Sequence, residues 1–146
     1  MKKFVFSLEK VMEFKNQNLE NKKAEHGKAV MALKSQEEKI NLLRQKYDFI
    51  NSEFNNKKMA GIAVSEAFEY TSFLFTLENE TKREILHLDE LKKIEEQKRK
   101  EVVGMKIETS SLEKLKEKKY EQYQKEVQKS EELFIEEFVM RQRIMS

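Results

Sequence analysis

The side chains that could do chemistry are few, and their spacing does not suit catalysis or metal binding. His26 and His87 are the two histidines, and neither has a second imidazole three or four residues away, where one helix face could hold a metal ion. His26 falls in an otherwise apolar helical stripe, where a polar residue sets the pairing register. His87, beside Leu86, is expected to be an exposed helix residue.

Four pairs of adjacent glutamates, at 37–38, 95–96, 131–132 and 136–137, could suggest cation ligands. Neighbouring helix residues point about 100° apart, so such a pair cannot close on one ion. The absence of cysteine excludes disulfides and thiolate chemistry. No phosphate-binding loop or nucleophile motif is present. We therefore expect no enzyme, no catalytic or metal-binding residue and no cofactor.

The composition indicates long helices. Of 146 residues, 38% are charged, none is proline and three are glycine, which is too few turn formers for a compact domain. The 29 basic and 27 acidic residues alternate along the chain, as on a solvated helix surface. A nucleic-acid-binding protein would gather its basic residues on one face, so we expect no nucleic-acid partner.

A heptad pattern runs through the first half of the chain. One set of positions contains Val5, Met12, Leu19, His26, Leu33, Ile40, Tyr47 and Phe54, and the second contains Leu8, Lys15, Lys22, Ala29, Gln36, Leu43 and Ile50. Alternating steps of three and four keep one stripe facing a partner helix. The pattern predicts a coiled-coil helix from about residue 6 to about residue 55.

A turn and an aromatic segment are predicted from about residue 56 to about residue 76. Gly61 can adopt the positive φ that ends a helix, and the aromatic residues Phe68, Tyr70, Phe73 and Phe75 follow it. These rings either close the turn or form a docking surface, and both uses are possible for different rings.

A second helix is predicted from about residue 77 to about residue 144. Its stripe contains Leu88, Leu91, Glu95, Lys98, Val102, Met105, Thr109 and Leu112, and shifts by about one residue before continuing through Tyr120, Tyr123, Val127, Ser130 and Phe134. Neither helix can bury its stripe alone, so the chain is predicted to be all-α, one antiparallel coiled-coil hairpin over residues 1–146.

Both termini of such a hairpin would lie together, in a region rich in apolar residues. The closing run contains Leu133, Phe134, Ile135, Phe138, Val139, Met140, Ile144 and Met145. A coiled-coil stripe needs about two apolar residues per heptad. The excess predicts an apolar surface exposed on more than one face, which is typical of partner binding.

Several stretches, in this order, resemble the FliJ family of the flagellar type III export apparatus. They are Phe4-x-Phe6-x-Leu8-x-x-Val11, Gly61-Ile62-Ala63, Tyr70-x-x-Phe73-x-x-Thr76-Leu77-Glu78, Leu112-Glu113-Lys114-Leu115-Lys116-Glu117-Lys118, and Glu136-Glu137 with Arg141. Each stretch is common in coiled coils, and the resemblance rests on their order and spacing over essentially the whole chain.

The resemblance implies a fold similar to the central stalk subunit of rotary ATPases. It also implies a non-enzymatic stalk or escort that couples ATP hydrolysis to protein export and handles export chaperones. The export ATPase FliI would bind Phe4, Leu8, Phe134 and Phe138, and the export gate FlhA would bind Leu43, Tyr47, Ile50, Tyr70, Phe73 and Leu77. Glu80 and Glu84 depart from the smaller or less acidic residues expected in the gate-facing segment, which leaves the lower limit of that surface open.

The expected location is the cytoplasm, peripheral to the inner face of the cell membrane through the export apparatus. The apolar opening is interrupted at once by Glu9 and Lys10, which argues against a signal peptide. Residues 59–75 include Glu66 and Glu69 and are too short and polar to span a bilayer. We expect a soluble chain that is monomeric when free.

Two other functions fit the same pattern. One is a generic coiled-coil scaffold or homodimeric structural protein, which a concentration-dependent mass would reveal. The other is a coiled coil associated with nucleic acid, whose binding would weaken steeply with salt.

Overall fold

The computed structural model describes residues 2–145, of which 93% are helical. The two helices are α1 (Glu9–Ala60) and α2 (Val64–Met145), and the described residues contain no strand. The helices pack against each other as an all-α helical hairpin, which confirms the predicted fold class. Neither helix includes a described stretch that is both long enough and apolar enough to cross a membrane.

Both helices extend further towards the turn than the sequence pattern predicts. α1 ends at Ala60 rather than near residue 55, and α2 begins at Val64 rather than near residue 77. Tyr70, Leu74 and Leu77 explain the difference, because they continue the spacing of four and three residues into the aromatic segment and face inward. Most of the segment predicted as turn is therefore helix.

The turn between the helices consists of residues 61–63. Gly61 has φ +98°, which confirms the predicted left-handed residue. The Ala67 N–H donates to the Ala63 carbonyl (3.0 Å) as α2 begins. Lys57 in the last turn of α1 lies 3.2 Å from Glu66 in the first turn of α2, so each charge opposes the partial charge of its own helix end.

Contacts divide the chain into two units. The turn unit is Lys23–Glu101, and the terminal unit is Met1–Lys22 with Val102–Ser146. Each unit contains a segment of both helices.

The turn unit is held by one antiparallel seam. Its buried apolar residues are Ile40, Leu74 and Leu77. Cross-helix polar contacts join Lys98 to Glu25 (3.2 Å), His26 to Glu95 (3.0 Å), Gln36 to the Glu84 carbonyl (2.9 Å) and Lys39 to Glu84 (3.0 Å). Residue numbers rise along one helix as they fall along the other, so the helices are antiparallel here.

The terminal unit has the same antiparallel arrangement. Phe6, Met12 and Val102 are buried, and ion pairs join Lys15 to Glu108 and Lys116 to Glu9, each at 2.9 Å. The predicted stripe positions face inward in both units, except at Val5, which is 81% exposed, and at Tyr120, Ser130 and Phe134 of α2, which are also exposed. Residues 2–8 precede the helix, so the helical period does not apply to them, and Phe4 and Phe6 turn inward instead.

Candidate partner-binding surfaces

The histidines and glutamate pairs lie on helices and are not gathered into a site. His26 pairs across the seam with Glu95 (3.0 Å), and His87 lies 3.7 Å from Glu90 on its own helix. Within residues 2–145, no group of three or more histidine or carboxylate side chains could hold a metal ion. His26 and Glu95 therefore join the two helices, and the candidate sites are the exposed apolar surfaces.

The first such surface is the C-terminal extension, defined as residues 128–145 of α2. The opening segment, residues 2–8 before α1, lies beside α2 as far as residue 126 and lines a shallow depression with Tyr123 and Glu126. Every described side chain beyond Val127 is exposed, including Phe134 at 70% and Phe138 at 54%. Helix α2 is longer than α1, and the extension has no α1 segment to cover it.

The apolar residues of the extension form three stripes around the helix. At about 100° per residue, Phe134 and Phe138 share one stripe. Ile135 with Val139 and Leu133 with Met140 lie to either side of it. Together the stripes cover more than half of the circumference, which is more apolar surface than one partner helix can bury. This arrangement confirms the expected exposure on more than one face.

The structure separates the residues predicted to bind the ATPase. Phe134 and Phe138 are exposed, but Phe4 is half-buried, with its ring 5.2 Å from Tyr120 and 5.5 Å from Tyr123 between centroids. The Tyr123 hydroxyl also donates to the Lys2 carbonyl (2.7 Å). Leu8 is half-buried as well, and its carbonyl accepts the Met12 N–H (2.8 Å) where α1 begins. Phe4 and Leu8 therefore anchor the opening segment.

The second surface lies in the turn unit and is called the Phe73 surface. It consists of Leu42, Lys46 and Phe49 on α1 and Phe73 on α2, all exposed. The Lys46 ammonium lies 5.4 Å from the centroid of the Phe73 ring, which brings the two helices together at this point. Leu42 and Phe49 are four residues before and three residues after Lys46, so all three share one side of α1.

The residues predicted to face the gate have different degrees of exposure. Leu43, Tyr47, Ile50 and Tyr70 are half-buried along the seam, and Phe73 is 40% exposed. Ile50, Tyr70 and Phe73 line a shallow depression with Glu66 and Glu69. Leu77 is 2% exposed. The expectation that Leu77 contacts the gate is therefore corrected. Leu77 packs in the interhelical core and can support the surface only from beneath.

Sequence reasoning missed Leu42 and Phe49. Both are large apolar residues outside the heptad stripe, a position that leaves them in solvent once the stripe is paired. That placement is the signal that could have found them. Of the aromatic rings near the turn, Tyr70 stacks on Phe54 at 5.1 Å between centroids, whereas Phe68 and Phe75 remain exposed. Tyr70 therefore helps to close the turn, whereas Phe68 and Phe75 lie in solvent.

Glu84, which departs from the expected residue type, belongs to the cross-helix polar network. A hydrogen bond from Gln36 and another from Lys39 hold the pKa of the Glu84 carboxyl below its ordinary value. These interactions favour the ionised form. The carboxylate of Glu84 is thus held by Gln36 and Lys39 of α1.

Residues 4–145 match a family model, FliJ, described as Flagellar FliJ protein. No curated protein and no solved structure matches the chain.

Proposed function

Because the chain belongs to the FliJ family, a component of the flagellar export apparatus, we propose that it is a non-enzymatic stalk and escort. In this proposal the C-terminal extension binds the ring of the export ATPase FliI, and the Phe73 surface binds the export gate FlhA. Binding to both couples ATP hydrolysis to protein export. The chain also escorts export chaperones and works in the cytoplasm, held at the membrane through its partners.

The proposal rests mainly on one observation: the exposed apolar side chains of the extension form three stripes around the helix. A flat partner surface would cover one stripe and leave the others in water. A partner that surrounds the helix, such as the central pore of a ring, buries all three, and each buried side chain contributes about 1.5–3 kcal/mol before binding costs. Phe134 and Phe138 then contact the ATPase, while Phe4 and Leu8 hold the opening segment beside the base of the extension.

The Phe73 surface supports the gate assignment through its composition. Exposed rings of Phe49 and Phe73 beside a lysine are typical of interface anchors, because aromatic residues bury a large area with few rotatable bonds. Leu43, Tyr47, Ile50 and Tyr70 present their half-buried edges below these rings. The two surfaces share no residue, so one chain can hold both partners.

A capture experiment with the cell's own FliI and FlhA tests both assignments. We expect Phe134→Asp to weaken FliI capture at least tenfold and leave FlhA capture unchanged, because a buried carboxylate would replace an apolar anchor. We expect Phe73→Asp to have the opposite effect. Each change lies at an exposed position, so the helices should remain folded.

Matched controls are Phe14→Asp in the terminal unit and Phe75→Asp in the turn unit, since both rings are exposed outside the two surfaces. Both controls should capture FliI and FlhA as wild type does. Capture of neither protein by the wild-type chain would overturn the proposed function. Equal capture of both proteins by all variants would overturn the assignment of the surfaces.

A further inference from the structure

The C-terminal extension carries four exposed glutamates, Glu131, Glu132, Glu136 and Glu137. Lys129 precedes them, and Arg141 and Arg143 follow them. An antiparallel copy of the same segment would place Glu131 of each chain beside Arg141 of the other, whereas a parallel copy would align Glu131 with Glu131 and Arg141 with Arg141.

One stripe of the extension also has the spacing of a coiled-coil seam. Starting from Val127, which directly precedes the extension, its residues are Glu131, Phe134, Phe138, Arg141 and Met145, separated by alternating steps of four and three. In an antiparallel pair centred between the two phenylalanines, Phe134 of one chain faces Phe138 of the other. Glu131 then faces Arg141, and Val127 faces Met145. Each of these contacts occurs twice, as twofold symmetry requires.

A depression already exists where a knob from the second copy would enter. It is lined by Val127, Ser130, Glu131 and Phe134, with Ile135 beside them. The spacing of the first four residues is that of the hole which receives one side chain in knobs-into-holes packing. In the antiparallel pair this position receives Arg141, whose guanidinium can reach the Glu131 carboxylate at the wall of the depression.

The opening segment of each chain lies beside α2 only as far as Glu126. The proposed seam begins at Val127, so the second copy does not overlap that segment.

From these observations we propose that the free chain forms a weak antiparallel homodimer through its C-terminal extension. This inference replaces the expectation of a monomer and does not depend on the identity of the export partners. The seam has only four apolar residues per chain, so we expect weak association, with a dissociation constant on the order of 100 µM. Glu137 lies beside the twofold axis, next to Glu137 of the other chain. Because Glu137→Gln removes this repulsion between like charges, it should tighten the dimer.

Sedimentation equilibrium of the purified full chain, from about 5 µM to about 1 mM, tests the proposal. The average mass should rise from 17.5 kDa towards twice that value. Glu131→Lys and Arg141→Glu should each weaken association about tenfold or more, because each turns two attractive pairs into repulsive ones. An equimolar mixture of the two variants should associate at least as tightly as wild type, since opposite charges then face each other at both positions.

The matched control is Glu132→Lys, which changes net charge as Glu131→Lys does but points about 100° away from the seam. It should dimerise as wild type does, and far-UV circular dichroism should show equal helicity in all variants. A constant monomer mass for wild type would overturn the proposal. So would equal effects of Glu131→Lys and Glu132→Lys, a mixture no tighter than its components, or a mass of three or more chains.

Discussion

Phe73, Phe75 and Leu77 lie within five residues of α2, yet the helix gives each a different environment. Leu77 is 2% exposed and packs against α1, while Phe75 is 62% exposed. Phe73 lies between these extremes and contacts Lys46 of the neighbouring helix. Two residues of separation turn a side chain by about 200° around a helix. Residue type alone therefore does not separate core from surface in this segment.

Leu77→Ala should lower the free energy of unfolding by about 2–5 kcal/mol, because it leaves a cavity in a narrow seam. Phe75→Ala should change it by less than about 0.5 kcal/mol, since the ring is already in solvent. Urea denaturation followed by circular dichroism measures both values. Similar losses for the two variants would contradict the assignment of Leu77 to the core.

Glu84 should make stability depend on pH. Gln36 and Lys39 lower the pKa of the folded-state carboxyl below its ordinary 4.5, so folding favours the ionised form. The stabilisation is present above pH 4.5 and is lost as pH falls through the lowered pKa. Wild type should therefore have a higher melting temperature than Glu84→Gln at pH 7, and the difference should shrink on acidification below pH 4.5.

Gln36→Leu provides the cross-check for this prediction, because it removes the largest cause of the lowered pKa. This variant should also show a smaller fall in melting temperature on acidification, whatever its stability at pH 7. A wild-type curve that runs parallel to both variants over the whole pH range would exclude the proposed role of Glu84.

At the scale of elements, two glycines occupy different positions relative to the helices. Gly61 takes a positive φ and separates α1 from α2. Gly104 lies inside α2 and is exposed, and apart from its chain neighbours and the adjacent backbone of its own helix no atom lies within 4 Å of the position a Cβ would occupy. The same residue type is required at the first position and only tolerated at the second.

Alanine substitutions at the two glycines should therefore have opposite effects. Gly61→Ala should destabilise the chain by about 1–2 kcal/mol, because an L-residue is strained in the left-handed conformation. Gly104→Ala should stabilise it by up to about 1 kcal/mol, because alanine restricts the unfolded chain and favours helix. Thermal melts of both variants measure the two shifts, and changes of the same sign would argue against this reading of the turn.

At the scale of the whole molecule, the buried seam and the exposed apolar residues of the C-terminal extension lie in different parts of α2. The seam residues of each unit before residue 128 are buried or half-buried apart from Tyr120, whereas residues 128–145 are all exposed. The extension therefore adds helix without adding a core. Its apolar side chains lower the free energy only when something else covers them.

Ending the chain after Val127 should leave the free energy of unfolding within about 0.5 kcal/mol of the wild-type value, measured at a concentration where the chain is monomeric. The same truncation should abolish FliI capture while FlhA capture persists. Ending the chain after Leu112 is the matched comparison, because it also removes Tyr120 and Tyr123, which pack on Phe4. That shorter chain should be measurably less stable in urea, and a large loss for the first truncation would show that the extension has a structural role.

The all-α class, the paired helices and the Gly61 turn follow from the sequence, because the heptad period and a left-handed glycine are local properties. The same local reasoning identifies the terminal apolar surface, since eight large apolar residues exceed what one seam can bury.

Tertiary structure decided which residues of each predicted surface are accessible. It turned Phe4 towards Tyr120 and Tyr123, buried Leu77, and brought Lys46 over Phe73. These outcomes depend on the register between two helices and on the exact start of α1. The register is set by contacts between the two helices, which join residues far apart in the chain. The heptad pattern of a single helix carries no information about these contacts.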